Sequence, residues 1–169
     1  IVIQRQGRLF PQEQAGIRLA LNTLMKEGIF NQDVACTFVE VRKTSMVSFR
    51  LFEVQCPAGD QRDLTYNPWI GTYVSFSDTE GFICNTGRPY GHLGTTKPLH
   101  VIKISGAMPL EAVLEDVFFL SNLTWTKLDD CARDPITVKM NDIRLREMAG
   151  EYDQDSFEFN EFEEVMANE

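Results

Sequence analysis

Ile1-Val2-Ile3-Gln4-Arg5-Gln6-Gly7-Arg8 opens the chain. Three β-branched residues, the side chains that fit a pleated surface best, run into a polar, basic, glycine-containing turn, and an amphipathic segment follows. A strand that delivers polar side chains at its carboxyl end, ahead of a helix, is where open α/β sheets place their chemistry. Position 6 therefore decides much of what the chain can do. It holds a glutamine, which does not ionise. Residue 1 already lies inside the strand pattern and no initiator methionine precedes it, so the expectation is a piece of a longer chain with partner strands upstream.

Working outward, Pro11-Gln12-Glu13 reads as a helix start, since proline lacks only an N–H that the first turn leaves unpaired anyway. Ile17, Leu21, Leu24 and Met25 recur at helical spacing up to a capping Gly28, which predicts an amphipathic helix over 11–27 packed on a sheet. Residues 34–41 are rich in β-branched and aromatic side chains and predict a strand, with 49–54 as its hairpin partner across Thr44-Ser45-Met46. Residues 56–63 read as a loop. A second hairpin is expected from 72–76 and 82–84, with Gly81 at a φ > 0 turn position. An irregular stretch, 85–98, leads into a strand over 100–104. Residues 109–124 carry Leu110, Val113, Leu114, Val117, Phe118 and Ser121 on one helical face, and Phe119 and Leu120 widen it enough to predict burial on two sides. A polar loop over 127–134 precedes a short strand, 136–140, which feeds Asn141-Asp142 as N-cap of a last helix with Leu145, Met148, Ala149 and Tyr152 on one face. The order predicts a mixed α/β domain with helices covering the sheet.

The chain has 169 residues, 43% hydrophobic and 11% aromatic, which suits one globular domain with a sizeable core. Its net charge of −9 is unevenly spread. From Glu151 onward there are eight acidic residues and no Lys or Arg, which leaves 17 acids against 16 bases over 1–150. Domain body (1–152) and acidic, Phe-containing tail (153–169) are thus separate in character, and the body can carry local basic patches. Cys36, Cys56, Cys84 and Cys131 lie far apart with no CxxC pair; reduced, mostly buried thiols in a cytoplasmic protein are expected, not a zinc site or disulfide framework. His92 and His100 have no ligand-spaced partners and read as structural. No apolar run approaches the ~20 residues that span a bilayer, so no membrane partner is expected.

Four blocks, taken in order, resemble the C-terminal half of a PIWI domain, the ribonuclease H-like module of Argonaute proteins, and are closer to prokaryotic members than to eukaryotic ones. Residues 1–8 are similar to the family's strand ending in Arg-Asp-Gly-Arg, with Gln6 in place of the acid. Phe38-Val39-Glu40-Val41-Arg42-Lys43 looks like the next strand and its basic end. Gly94-Thr95-Thr96-Lys97-Pro98 is similar to a Gly-Thr-x-Arg/Lys-Pro segment, and the 109–125 helix closes in a Leu-x-x-Leu-x-Trp-like pattern. Pro135-Ile136-Thr137-Val138 and then Asp142 look like the final strand and the start of the last helix. Each block alone has little specificity; their collinearity over about 150 residues carries the likeness.

The resemblance implies a ribonuclease H-like mixed sheet flanked by helices, and guide-directed nucleic-acid binding, with guide and target of RNA or DNA. Active members cleave with two magnesium ions held by four acidic or histidine ligands. The first two would lie upstream, the third falls on Gln6 and the fourth on Asp142. A glutamine offers a neutral carbonyl oxygen and none of the charge that holds two hard cations about 4 Å apart, so Asp142 reads as an N-cap at a degenerate metal position. No working catalytic or metal residue is then expected, and no cofactor in this stretch, beyond a magnesium ion allowed beside a guide 5′ phosphate. Backbone contacts to nucleic acid are implied for Arg42, Lys43, Thr95, Thr96, Lys97, Arg144 and Arg146, the last two beside a neighbouring MID domain. Solvated strand ends, an ordinary loop and a helix face paired with Glu147 or Glu151 are the plainer readings of the same residues. The leading function is a cleavage-inactive binding module that acts in defence against foreign DNA through a partner effector. The rivals are an active magnesium-dependent slicer whose third carboxylate has been replaced, and a ribonuclease H-like fragment that binds only protein.

Overall fold

The computed structural model describes residues 1–30, 34–43, 49–55, 64–88, 94–123 and 133–150. In chain order the elements are β1 (Val2–Gln6), α1 (Pro11–Lys26), β2 (Thr37–Lys43), β3 (Glu53–Gln55), β4 (Leu64–Tyr66), β5 (Tyr73–Ser75), β6 (Glu80–Ile83), β7 (Leu99–Ser105), α2 (Leu110–Asn122) and α3 (Ile136–Ala149). Five strands make one mixed sheet in the order β1-β2-β7-β6-β5. β1 runs parallel to β2 and the other neighbours are antiparallel. β3 and β4 form a separate two-stranded ribbon.

β2 sits inside the sheet because Thr37 to Val41 are buried on both faces, the pattern of a strand covered from two sides. On one face Val39, Val41, Ile83, Leu99 and Val101 meet Leu110, Val113, Leu114 and Val117 of α2, all 1% exposed or less. That helix presents apolar residues at i, i+3, i+4 and i+7, which is why a single stripe can close the core. Each such side chain contributes about 1.5–3 kcal/mol by leaving water. Phe119 is 57% exposed, so α2 is covered along this stripe and not on two sides.

The opposite face carries Phe38 beneath the Arg18 guanidinium, 4.8 Å from the ring centroid, and His100 stacked on Phe82 at 4.4 Å. α1 crosses here. Its predicted start at Pro11 and its end at Gly28, with φ of 74°, are as expected, but no α1 residue is fully buried. Ile17, Leu21, Leu24 and Met25 are only half covered, because its links to the sheet run through polar groups: Glu13 to Arg5 and Arg18 to Ser105 Oγ, the latter at 3.1 Å.

Three further expectations are corrected. The predicted 34–41/49–54 hairpin does not form. β2 pairs with β1 and β7, and the second segment joins β4 instead. Residues 136–140 are helical, not a strand; α3 begins directly after Pro135, so the β-branched run Ile136-Thr137-Val138 is its first turn. Proline at a helix start and the helix-favouring residues that follow override that run's β preference. Asp142 is therefore mid-helix and caps nothing. The β5–β6 hairpin does form, yet Gly81 is not among the positive-φ glycines. Glycine is needed there for space: a Cβ would lie 2.9 Å from the Val74 carbonyl oxygen and 3.2 Å from Leu114 Cδ1. Cys56, Cys131, His92, Trp125, Tyr152, the 44–46 connection, the 56–63 loop, most of the 127–134 loop and the tail 153–169 lie outside the described residues.

Candidate functional site

Strand direction gathers most of the predicted positions at one end of the sheet. β1 and β2 are parallel, so their carboxyl ends lie at one end of the sheet, with Gln6 opposite Val41 and Lys43 two residues beyond. β7 returns antiparallel, so Leu99 starts opposite Lys43 and His100 opposite Arg42, and Ile83 at the carboxyl end of β6 lies against Leu99. Segments 85–88 and 94–98 therefore leave and enter the sheet at this same end. The start of α3 is drawn there too, by an ion pair of 3.0 Å between Lys43 Nζ and Asp134. Asn85, 2% exposed, completes the junction by donating to Ser121 Oγ on α2 at 2.7 Å and to the Arg133 carbonyl at 2.8 Å.

Gln6 closes β1 and is half-buried. The turn behind it is held at two points: Gly7 N–H donates to the Val41 carbonyl at 2.9 Å, and Leu9 N–H donates to Glu40 Oε1 at 2.7 Å. Side chains alternate along a strand, so Gln6 projects on the face of Gln4, whose Oε1 accepts from Thr137 Oγ1 of α3 at 2.7 Å. The first turn of the last helix thus packs against β1. Asp142 lies nearly a turn and a half further along α3 and pairs with Arg146 at 3.1 Å, the two side chains being 44% and 55% exposed. Arg146 sits in the last turn of α3, not near its start, and Arg144 is exposed.

Would this end hold magnesium? Gln6 brings no charge and Asp142 is shared with a guanidinium. Among the described residues no three His, Cys, Asp or Glu side chains converge in a way that could hold a metal ion. Glu40 is no substitute, because it projects on the opposite face from Gln6 and both its oxygens are engaged, by Leu9 and by Arg42. The described residues by themselves do not supply the carboxylates of a two-magnesium centre.

Arg42 and Lys43 are both engaged within the chain, by Glu40 and Asp134. Arg42 Nε is nonetheless buried with no partner among the described residues, an omission that costs about 1–3 kcal/mol unless an outside acceptor supplies it. In the glycine-threonine segment, Thr95 and Lys97 are exposed, whereas Thr96 is 4% exposed and turned inward. Asn67 braces that segment: its Nδ2 donates to the Gly94 carbonyl at 2.7 Å and its Oδ1 accepts from Thr96 N–H at 3.2 Å. Pro68 accepts from Arg88 N–H at 3.0 Å, an approach that leaves no room for a Cβ on Gly87. Arg88 itself is sandwiched, 4.1 Å from the Tyr66 ring centroid and 5.5 Å from that of Trp69, with Nη1 3.4 Å from Glu53 and Nη2 unpartnered among the described residues.

Sequence reading missed Glu40, Asn67, Asn85 and Arg88. Only Glu40 carried a signal, as a carboxylate inside an apolar run. The contacts made by the others span 19 to 48 residues, which no local pattern contains.

No family model matches the chain. The chain is 31% identical over 123 residues to the "Protein argonaute" of Thermus thermophilus, an alignment that covers 73% of this chain and 15% of that protein. Its fold is similar to that of Clostridium butyricum Argonaute bound to a guide DNA and a 19-mer target DNA, with TM-score 0.53 and 24% identity, over 80% of this chain and 15% of the other. It is similar as well to Aa-Ago with externally bound siRNA, with TM-score 0.54 and 18% identity, over 83% and 17%. The chain thus spans about one-sixth of the length of the proteins it matches. The five-stranded mixed sheet with flanking helices is the ribonuclease H-like fold of the PIWI region. In sequence and in fold, this chain belongs to the Argonaute family as a partial PIWI region.

Proposed function

We propose that this chain is the guide- and target-binding part of an Argonaute PIWI domain that does not itself cleave. The observation that carries the reading is Gln6. At the carboxyl end of β1, where the resemblance puts the third metal ligand, the side chain is a neutral amide, and the fourth position, Asp142, is paired with Arg146. Loss of one carboxylate from a two-metal site lowers the rate by orders of magnitude, because charge developing at the phosphorus goes unbalanced. Base pairing to a guide would read sequence, while Arg42, Lys43, Thr95, Lys97, Arg144 and Arg146 contact backbone. A magnesium ion beside the guide 5′ phosphate, a MID domain and the upstream PIWI half complete the binding site. The protein works in the cytoplasm against foreign DNA, through an effector protein or attached domain. The decisive experiment is a cleavage assay of the full-length natural protein with guide, complementary target and magnesium. The expected result is guide-dependent binding with no strand cut; guide-directed, magnesium-dependent cleavage overturns the reading.

A further inference from the structure

A second contact surface lies at the same end of the sheet. Tyr66 closes β4, Trp69 follows it, and Arg88 comes five residues after β6 ends; Trp69 and Arg88 meet in an isolated parallel bridge. The three side chains form one stack with the guanidinium in the middle. Trp69 is 57% exposed and Tyr66 37%, unusual for rings that already share a charged partner. A solvent-facing Trp and Tyr around a cation is what sequence-tolerant base stacking requires: every nucleobase has a π-face, and the cation draws the phosphate that comes with it.

The stack is built into the candidate interface, not merely near it. Asn67, between Tyr66 and Trp69, grips the Gly94 carbonyl and the Thr96 N–H, so exposed Thr95 and Lys97 are held in fixed relation to the rings. Pro68 fixes Arg88 through its N–H. Glu53 pairs with one Arg88 nitrogen and Nη2 is buried without a partner among the described residues, so the guanidinium backs the two rings from inside and leaves their outer faces to a ligand. Exposed aromatic faces beside an exposed lysine loop suit an unpaired nucleotide and suit an apolar peptide poorly, since such a peptide would leave Lys97 without counter-charge.

We infer that Tyr66, Trp69 and Arg88 form a stacking platform for an unpaired nucleotide of a bound strand, with Thr95 and Lys97 taking the adjoining phosphate. The inference rests on the nucleic-acid-binding part of the reading above and is independent of whether the protein cleaves. It is tested on the full-length protein with a 12-nucleotide single strand carrying 5-iodouracil, in DNA and RNA forms, photocrosslinked and mapped by mass spectrometry. The expected cross-link falls on the peptide containing Tyr66 and Trp69. Trp69→Leu weakens binding of the same strand roughly 5- to 100-fold, and Trp69→Phe restores most of it. Cross-linking of the unaltered protein needs no variant to fold. If a guide–target duplex binds but no cross-link reaches residues 66–69, this inference alone falls. If neither duplex nor single strand binds, both readings fall. A DNA-only or RNA-only cross-link retains the platform and identifies the strand.

Discussion

Among the described residues Glu40 is the one buried charged side chain, at 2% exposure, and its two oxygens do different work. One accepts from the Leu9 amide and so fixes the turn behind Gln6; the other pairs with Arg42. Glu40→Ala strips the acceptor from a buried N–H and the counter-charge from Arg42. It is expected to cost about 1–3 kcal/mol, read as a lower midpoint in urea, whereas Glu40→Gln keeps the acceptor and costs less. Cys84 behaves in the opposite way. Burial without a partner charge pushes its thiol up to about 12, so it stays protonated and inert at neutral pH. In the native state Cys36, half-exposed, should react with a thiol reagent, while Cys84 should react only after denaturation. Rapid native labelling of Cys84 would show that its pocket opens. Glu13 gives a pH signature. The Phe10 N–H and then Arg5 hold its carboxyl below the ordinary value of 4.5. A depressed folded value means its contribution is present above 4.5 and fades as pH falls through the lower folded value. Replacing it by Gln should therefore flatten the acid limb of the stability curve.

At the scale of elements, α2 and α3 show what a pattern can and cannot say. The α2 stripe of Leu110, Val113, Leu114 and Val117 was legible because burial on one face imposes the helical period and nothing competes with it. In α3 only Val138 is buried, so no stripe announces the helix, and a β-branched run after a proline reads as strand. Docking of its first turn on β1, through Thr137 and Gln4, adds to the proline start and the helix-favouring residues that follow, and together they outweigh the run's β preference. Gly81 shows the same limit on a smaller scale. A glycine beside a hairpin turn suggests a special φ, while the actual demand comes first from the Val74 carbonyl oxygen and then from α2 leucines that only the folded chain brings there. Gly81→Ala should destabilise by about 1–3 kcal/mol through overpacking, and Gly81→Ala combined with Leu114→Val should recover part of the loss. If the single substitution is neutral in thermal unfolding, the close approach is not real.

For the molecule as a whole, a net charge of −9 coexists with a sheet end that collects Arg42, Lys43, Arg88 and Lys97. Phosphate contacts depend on such local collection, not on the sum. Replacing Lys97 by Gln should weaken binding of all sequences alike and reduce the salt slope by about 0.7–0.9; a sequence-selective loss would argue against a phosphate role. The fold class and the position of Gln6 could be read from the sequence because strand and helix periods and an ordered set of blocks are local information. The ribbon β3–β4, the Asn67 brace and the Arg88 sandwich could not, since each is a pairing between separate segments; even where 49–54 reads as a strand, nothing local names β4 as its partner.

Among the described residues β1 has a neighbour on one side only. Among the described residues no strand pairs with its outer edge, which opens with Val2 and Ile3 directly after Ile1 and carries no proline or bulge, with Arg5 as its one charge. Natural edge strands are protected by such devices because an open apolar edge templates a foreign strand. Expressed by itself, this 169-residue stretch should self-associate edge to edge with rising concentration, and Ile3→Lys should suppress that without touching the α2-side core. The same edge that gives Gln6 its position makes the isolated segment a colloidal liability, so solubility trials should include the Lys variant from the start.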